Sequence, residues 1–184
     1  MTTKPLKSKR KPTWTDLKRV LNELDRNGLL GLIQDLYAAG KDNQAFLHAR
    51  FGLGDDVLKP YKATISRWVC PDFHQAISVA KAKKAISDYR KAIGHPEGVA
   101  ELVVFYCEEC TALLDCCGMN DEGYFDALVR MFEQALAAIN KLDPELQKPF
   151  VKRLERVRRP AHNYGYGVGD DMDDLMAEYG FGEE

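Results

Sequence analysis

Residues 97–117, EGVAELVVFYCEECTALLDCC, read as one helix, and the neighbours it demands decide the fold. Apolar residues fall nearly all the way round it, and a helix of that kind is packed on several sides. The longest unbroken apolar run, 102–107, is far short of the roughly 20 residues needed to span a bilayer, so the helix belongs at the centre of a bundle. Its polar positions are patterned. Glu97, Glu101, Glu108 and Asp115 stand four, seven and seven residues apart and line one narrow stripe. Lys81, Lys84 and Lys91, in the segment just before, repeat at three and seven. An ion-pair ladder across the Gly94-His95-Pro96 turn is therefore expected, each exposed pair contributing about 0–1 kcal/mol.

Reading toward the C-terminus, Gly118 ends the central helix and Asn120 or Asp121 caps the next, which runs through Phe125, Leu128, Val129, Phe132, Leu136 and Ile139. Pro144 opens another through Leu146, Phe150, Val151, Leu154 and Val157, stopped by Arg159-Pro160. After that the chain changes character. Tyr164-Gly165-Tyr166-Gly167 is a flexible stretch with two adhesive rings. Asp171 then caps a short acidic helix in which Met172, Leu175, Met176 and Tyr179 fall at i, i+3, i+4 and i+7 and make one apolar edge.

Toward the N-terminus, Asp72 caps a long helix through Phe73, Ile77, Ala80, Ile86 and Tyr89 to about Ala92. Residues 55–69 are helical by pattern, with the helix starting or kinking near Pro60. Three short helices precede them. One is capped by Thr13 or Thr15 and carries Leu17, Val20, Leu21 and Leu24; one runs from Asn27 to Gly40; one is capped by Asp42 or Asn43 and carries Phe46, Leu47 and Phe51. Their short turns make them antiparallel neighbours.

The 184 residues allow one core of ordinary size. Leu and Ala number 20 and 18 against 11 Val, 6 Ile and 6 Thr, which favours helix over strand. The expectation is an all-α protein, an irregular antiparallel array or bundle of about seven to eight helices over residues 13–160. Residues 1–12 form a flexible basic arm, and 161–184 a Tyr/Gly linker with an acidic amphipathic tail. Net charge is −2, but Lys4, Lys7, Lys9, Arg10 and Lys11 crowd the first eleven residues without an acid, and seven acids crowd 170–184 without a base. The body between is neutral and the ends are opposite poles.

Several stretches resemble an uncharacterised bacterial family of small all-helical proteins. They are Leu32-Ile33-Gln34-Asp35-Leu36-Tyr37, Asn43-Gln44-Ala45-Phe46-Leu47-His48-Ala49-Arg50-Phe51, Ala82-Lys83-Lys84-Ala85-Ile86-Ser87-Asp88-Tyr89, and more loosely Gly118 with Tyr124 and Ala135-Leu136. The resemblance covers residues 29–136, somewhat over half the chain. It implies a helical fold and no particular activity.

Side chains capable of chemistry are scattered. Cys107 and Cys110 form a C-x-x-C half-site that Cys70 and His74 could complete for zinc, but free cysteine is among the most buried residue types, and buried, inert thiols are the preferred reading. His48, His74, His95 and His162 lie in different segments with no Ser or Cys at a motif spacing, so no catalytic residue is expected. Arg50 is expected to pair with an acid such as Asp35. The acidic run 170–174 lacks the order of a calcium loop. No metal or cofactor is called for.

Two binding surfaces remain. Lys152, Arg153, Arg156 and Arg159, with Lys148 and Arg158, make a basic helix end suited to phosphates. Met172, Leu175, Met176 and Tyr179 suit a groove, on another protein or on this chain's own basic helix near 152–159. The expectation is a cytoplasmic, non-catalytic interaction or adaptor module with a protein partner and no membrane association. The alternative is a nucleic-acid-associated accessory protein using the basic clusters at 4–11 and 148–159. Five cysteines, four of them within one helix, suit a reducing compartment.

Overall fold

A computed structural model describes residues 11–53, 56–72 and 74–182; most of the basic arm lies outside this range. Among the described residues there are nine helices and no strand, an all-α array. They are α1 (Trp14–Leu21), α2 (Arg26–Ala39), α3 (Lys41–Phe51), α4 (Lys59–Val69), α5 (Val79–Ala92), α6 (Pro96–Cys117), α7 (Glu122–Ile139), α8 (Pro144–Ala161) and α9 (Val168–Glu178). The chain divides into two compact units, residues 1–44 and 45–184, with the boundary inside α3.

The first unit is held by caps. Thr13 donates from its N–H and its hydroxyl to the Asp16 carboxylate at 2.8 and 2.7 Å, and these bonds hold that carboxyl below its ordinary range. The Asp25 side chain accepts the Gly28 N–H at 2.7 Å and starts α2. Asp42 or Asn43 is the expected cap of α3; the Asn43 amide instead reaches back to the Leu36 carbonyl at 2.7 Å, and Gln44 reaches Tyr37 at 3.1 Å, so both satisfy orphan carbonyls at the end of α2. No residue of α1 or α2 is buried.

The second unit is built round α6, which packs on α4, α5, α7 and α8. Half of its 22 residues are buried, among them Leu102, Val103, Val104, Tyr106, Leu113 and Leu114. Gly118 ends it in the left-handed region at φ 58°, donating to the Leu114 carbonyl. Asp121 accepts the Tyr124 N–H at 2.9 Å to start α7, and the Tyr124 hydroxyl donates to the Val69 carbonyl at 2.6 Å, fixing the end of α4.

Several sequence boundaries shift for physical reasons. The long helix expected from Phe73 begins at Val79, because the Ser78 N–H turns back to the Trp68 carbonyl at 2.8 Å. Pro160 does not stop α8; it lies in the last turn, where only one intrahelical bond is lost, and the next residue, Ala161, is fully buried. The acidic helix starts at Val168, three residues before the expected cap. Arg50, expected to pair with an acid such as Asp35, donates to the Ala92 carbonyl at 2.9 Å at the end of α5.

Close packing of α5 on α6 depends on one missing side chain. A Cβ at Gly98 would lie 1.9 Å from the Tyr89 hydroxyl oxygen. We expect Gly98→Ala to destabilise the second unit by about 1–3 kcal/mol by overpacking, and Tyr89→Phe in the same chain to recover part of the loss. Urea denaturation read by circular dichroism checks both; an unchanged midpoint in Gly98→Ala would contradict the packing described.

Candidate functional site

Two of the three α5 lysines of the expected ladder have partners off the acid stripe. Lys84 pairs with Asp88 on its own helix at 2.5 Å, and Lys81 sits over the Trp68 ring, 3.7 Å from its centroid. The expected ladder is replaced by a three-helix clamp. From α8, Arg153 donates through Nε and Nη2 to the two Glu108 oxygens, each at 2.7 Å, and through Nη1 and Nη2 to Glu101. Lys62 of α4 reaches Glu101 at 2.6 Å. The planar guanidinium is suited to gripping two carboxylates at once. Burial pushes the Glu101 carboxyl up, but the hydrogen bonds from Arg153 and Lys62 outweigh it and hold the carboxyl below its ordinary value. Arg153's own bonds, that to Glu108 foremost and then that to Glu101, push its pKa up.

The clamp splits the basic set read from the sequence. Arg153 turns inward to the two carboxylates and is withdrawn from any external ligand. Arg158 is likewise engaged, by Asp173 of α9. Lys152, Arg156 and Arg159 stay exposed, spaced four and three residues apart on the outer face of α8. Lys148, one turn earlier, pairs with Glu145 at 2.7 Å.

The apolar edge of the acidic helix is occupied. Met172 and Met176 are buried in this chain's own core, Leu175 and Tyr179 pack against it, and α9 lies on α7 and α8. Beside the Arg158–Asp173 pair, His162 Nε2 lies 3.4 Å from Asp173. Tyr164 donates to Asp115 at 2.7 Å and stacks on Phe125, so the fourth acid of the stripe holds the linker. Tyr166, largely exposed, also reaches the Phe125 ring.

Cys107 and Cys110 face the core. Burial pushes the Cys107 thiol far up and the Cys110 thiol up to about 12, so neither supplies a thiolate at neutral pH. Cys70 is half-buried, while Cys116 and Cys117 are exposed at the end of α6. Among the described residues no group of three or more His, Cys, Asp or Glu is placed to hold a metal.

A surface the sequence reading treated as mutual packing is the most unusual feature. Trp14 is 66% exposed, and Leu17, Val20, Leu30, Ile33 and Leu36 are exposed with it. The 14 residues of α2 include only two charges, Arg26 and Asp35, so the helix is apolar on nearly every side. That composition was the available signal, since helices apolar all round are buried.

No family model, curated protein or solved structure matches the chain.

Replacing Arg153 by Leu would leave Glu108 without its partner and Glu101 with Lys62 alone. With side chains that keep roughly a fifth to a third of their exposure, the loss should be about 1–3 kcal/mol, below that of a fully buried pair. The pH sign follows from the lowered Glu101 carboxyl. Its contribution is present above the ordinary value of 4.5 and is lost as pH falls through the lowered one, so Arg153→Leu should flatten that part of the acid limb. Stability measured against pH would show parallel limbs if the clamp were idle. Met172→Ala should cost about 2–5 kcal/mol by thermal denaturation, and a wild-type melt would mean that α9 is not part of the core.

Proposed function

We propose that this chain is a non-catalytic helical interaction module that docks another protein through the α1–α2 face of its first unit. The observation that supports the reading is α2 itself: a 14-residue helix with two charges and no buried residue. A run of exposed large apolar side chains along one helix, Leu29, Leu30, Leu32, Ile33 and Leu36, marks a site of association. The partner surface is apolar with an acidic border, because Lys4, Lys7, Lys9, Arg10 and Lys11 immediately precede α1 and carry no acid among them. No helix among the described residues is long and apolar enough to cross a membrane. Five free cysteines, two of them exposed, suit the cytoplasm as the place of action.

A second reading is favoured by a separate observation. Lys152, Arg156 and Arg159 form an exposed cationic row on α8, which suits the phosphates of a nucleic acid. The other cluster of that reading, 4–11, lies almost wholly outside the described residues.

Leu30→Asp with Ile33→Asp places two charges on the docking face without touching the core of the second unit. The expected outcome is loss of cross-linked partner capture by the tagged chain, with the melting temperature of the second unit unchanged. Undiminished capture of the same partner by the double variant would refute the docking face. For the second reading, anisotropy titrations at low salt with duplex and single-stranded probes are compared between wild type and Lys152→Gln/Arg156→Gln/Arg159→Gln. Nucleic-acid binding predicts a salt slope reduced by about 2–3 in the triple variant, and absence of low-salt binding to either probe ends that reading.

A further inference from the structure

We propose that a cleft between the α5–α6 turn and α7 binds an amphipathic anion, a molecule with one carboxylate or phosphate group on an apolar body. The cleft has a volume of about 630 Å³, within the range of small-molecule sites. Val99 of α6 with Ala137 and Ala138 of α7 give it an apolar lining.

The charge in the cleft has one sign. Arg90, in the last turn of α5, and Lys141, just beyond α7, both line it, and no carboxylate does. Elsewhere in this unit Lys62, Lys84, Arg130, Lys148, Arg153 and Arg158 each meet a carboxylate. Arg90 and Lys141, like Lys152, Arg156 and Arg159, have no such contact among the described residues; what sets them apart is that they come from different elements to the same cleft. Gln134, one turn before Ala137, adds an amide donor. Two cations and an amide beside an apolar lining match an anionic head on an apolar body. A guanidinium can grip a carboxylate or phosphate through two N–H groups, and the ammonium adds a second charge.

Cations near helix C-termini are also favoured by the helix dipole, without any ligand. Calorimetric titration of the full chain separates the two cases. The probes are decanoate and decyl phosphate, which distinguish the two head groups, with decanol as the uncharged control of equal chain length. The background carries Leu30→Asp and Ile33→Asp, so that adsorption to the first unit is suppressed and the outcome does not depend on the proposed docking face.

The expected result is saturable binding of at least one anion at one site per chain, with decanol at least tenfold weaker. Arg90→Gln and Lys141→Gln, both at exposed positions, should each weaken binding roughly tenfold, the scale of one charged hydrogen bond. Ala137→Trp, which fills the cleft from a half-exposed position, should abolish it. No saturable binding of either anion would overturn the proposal. So would binding that decanol equals and the two charge variants leave unchanged.

Discussion

A helix that is apolar on nearly every side must be surrounded, and α6 imposes that requirement on the second unit. Four helices meet it, and the acid stripe along it decides how two of them meet it. Glu101 and Glu108 cannot be left half-buried without partners, since an unpaired charge in that setting costs far more than a surface ion pair returns. Arg153 answers both acids and Lys62 answers one, so α4, α6 and α8 are locked in a single register. Asp115 extends the same logic to the linker through Tyr164. The acid stripe therefore acts as a set of registration points for the packing round α6.

The two ends of the described chain follow opposite physics. The acidic tail has an apolar edge, and this chain's own α7 and α8 supply the groove for it, with Arg158 fixing one of its acids. Its outward carboxylates are what remain visible. The first unit also carries apolar side chains but buries none of those of α1 and α2; it is organised by caps and returning amides that satisfy backbone groups without removing side chains from water. Helical stability in proteins comes mostly from burying a face, so α1 and α2 stand to gain most from a partner. That difference separates a helix that completes the core from two that bury no residue.

Much of this was legible in the sequence. The all-round apolar character of 97–117, the Gly118 stop, a cap at Asn120 or Asp121 and the Pro144 start are local signals, and local physics governs them. The alignment of Glu97, Glu101, Glu108 and Asp115 was also readable. Which helix would answer it was not, because Lys81, Lys84 and Arg153 are equally plausible by charge, and packing alone chose Arg153. The late start of α5 rests on a hydrogen bond from Ser78 to Trp68, a contact between segments that periodicity does not encode. The pairing of Arg90 with Lys141 round one cleft is likewise a product of tertiary approach, since fifty residues separate them.

The account reduces to a contrast in burial between the two units, and amide hydrogen exchange on the free chain reads it most directly. The prediction is that α6 amides exchange slowest, those of α9 share much of that protection, and those of α1 and α2 exchange orders of magnitude faster. Protection of α1 and α2 equal to that of α6 in a demonstrably monomeric chain would contradict it, because the apolar face assigned to a partner would then already be covered.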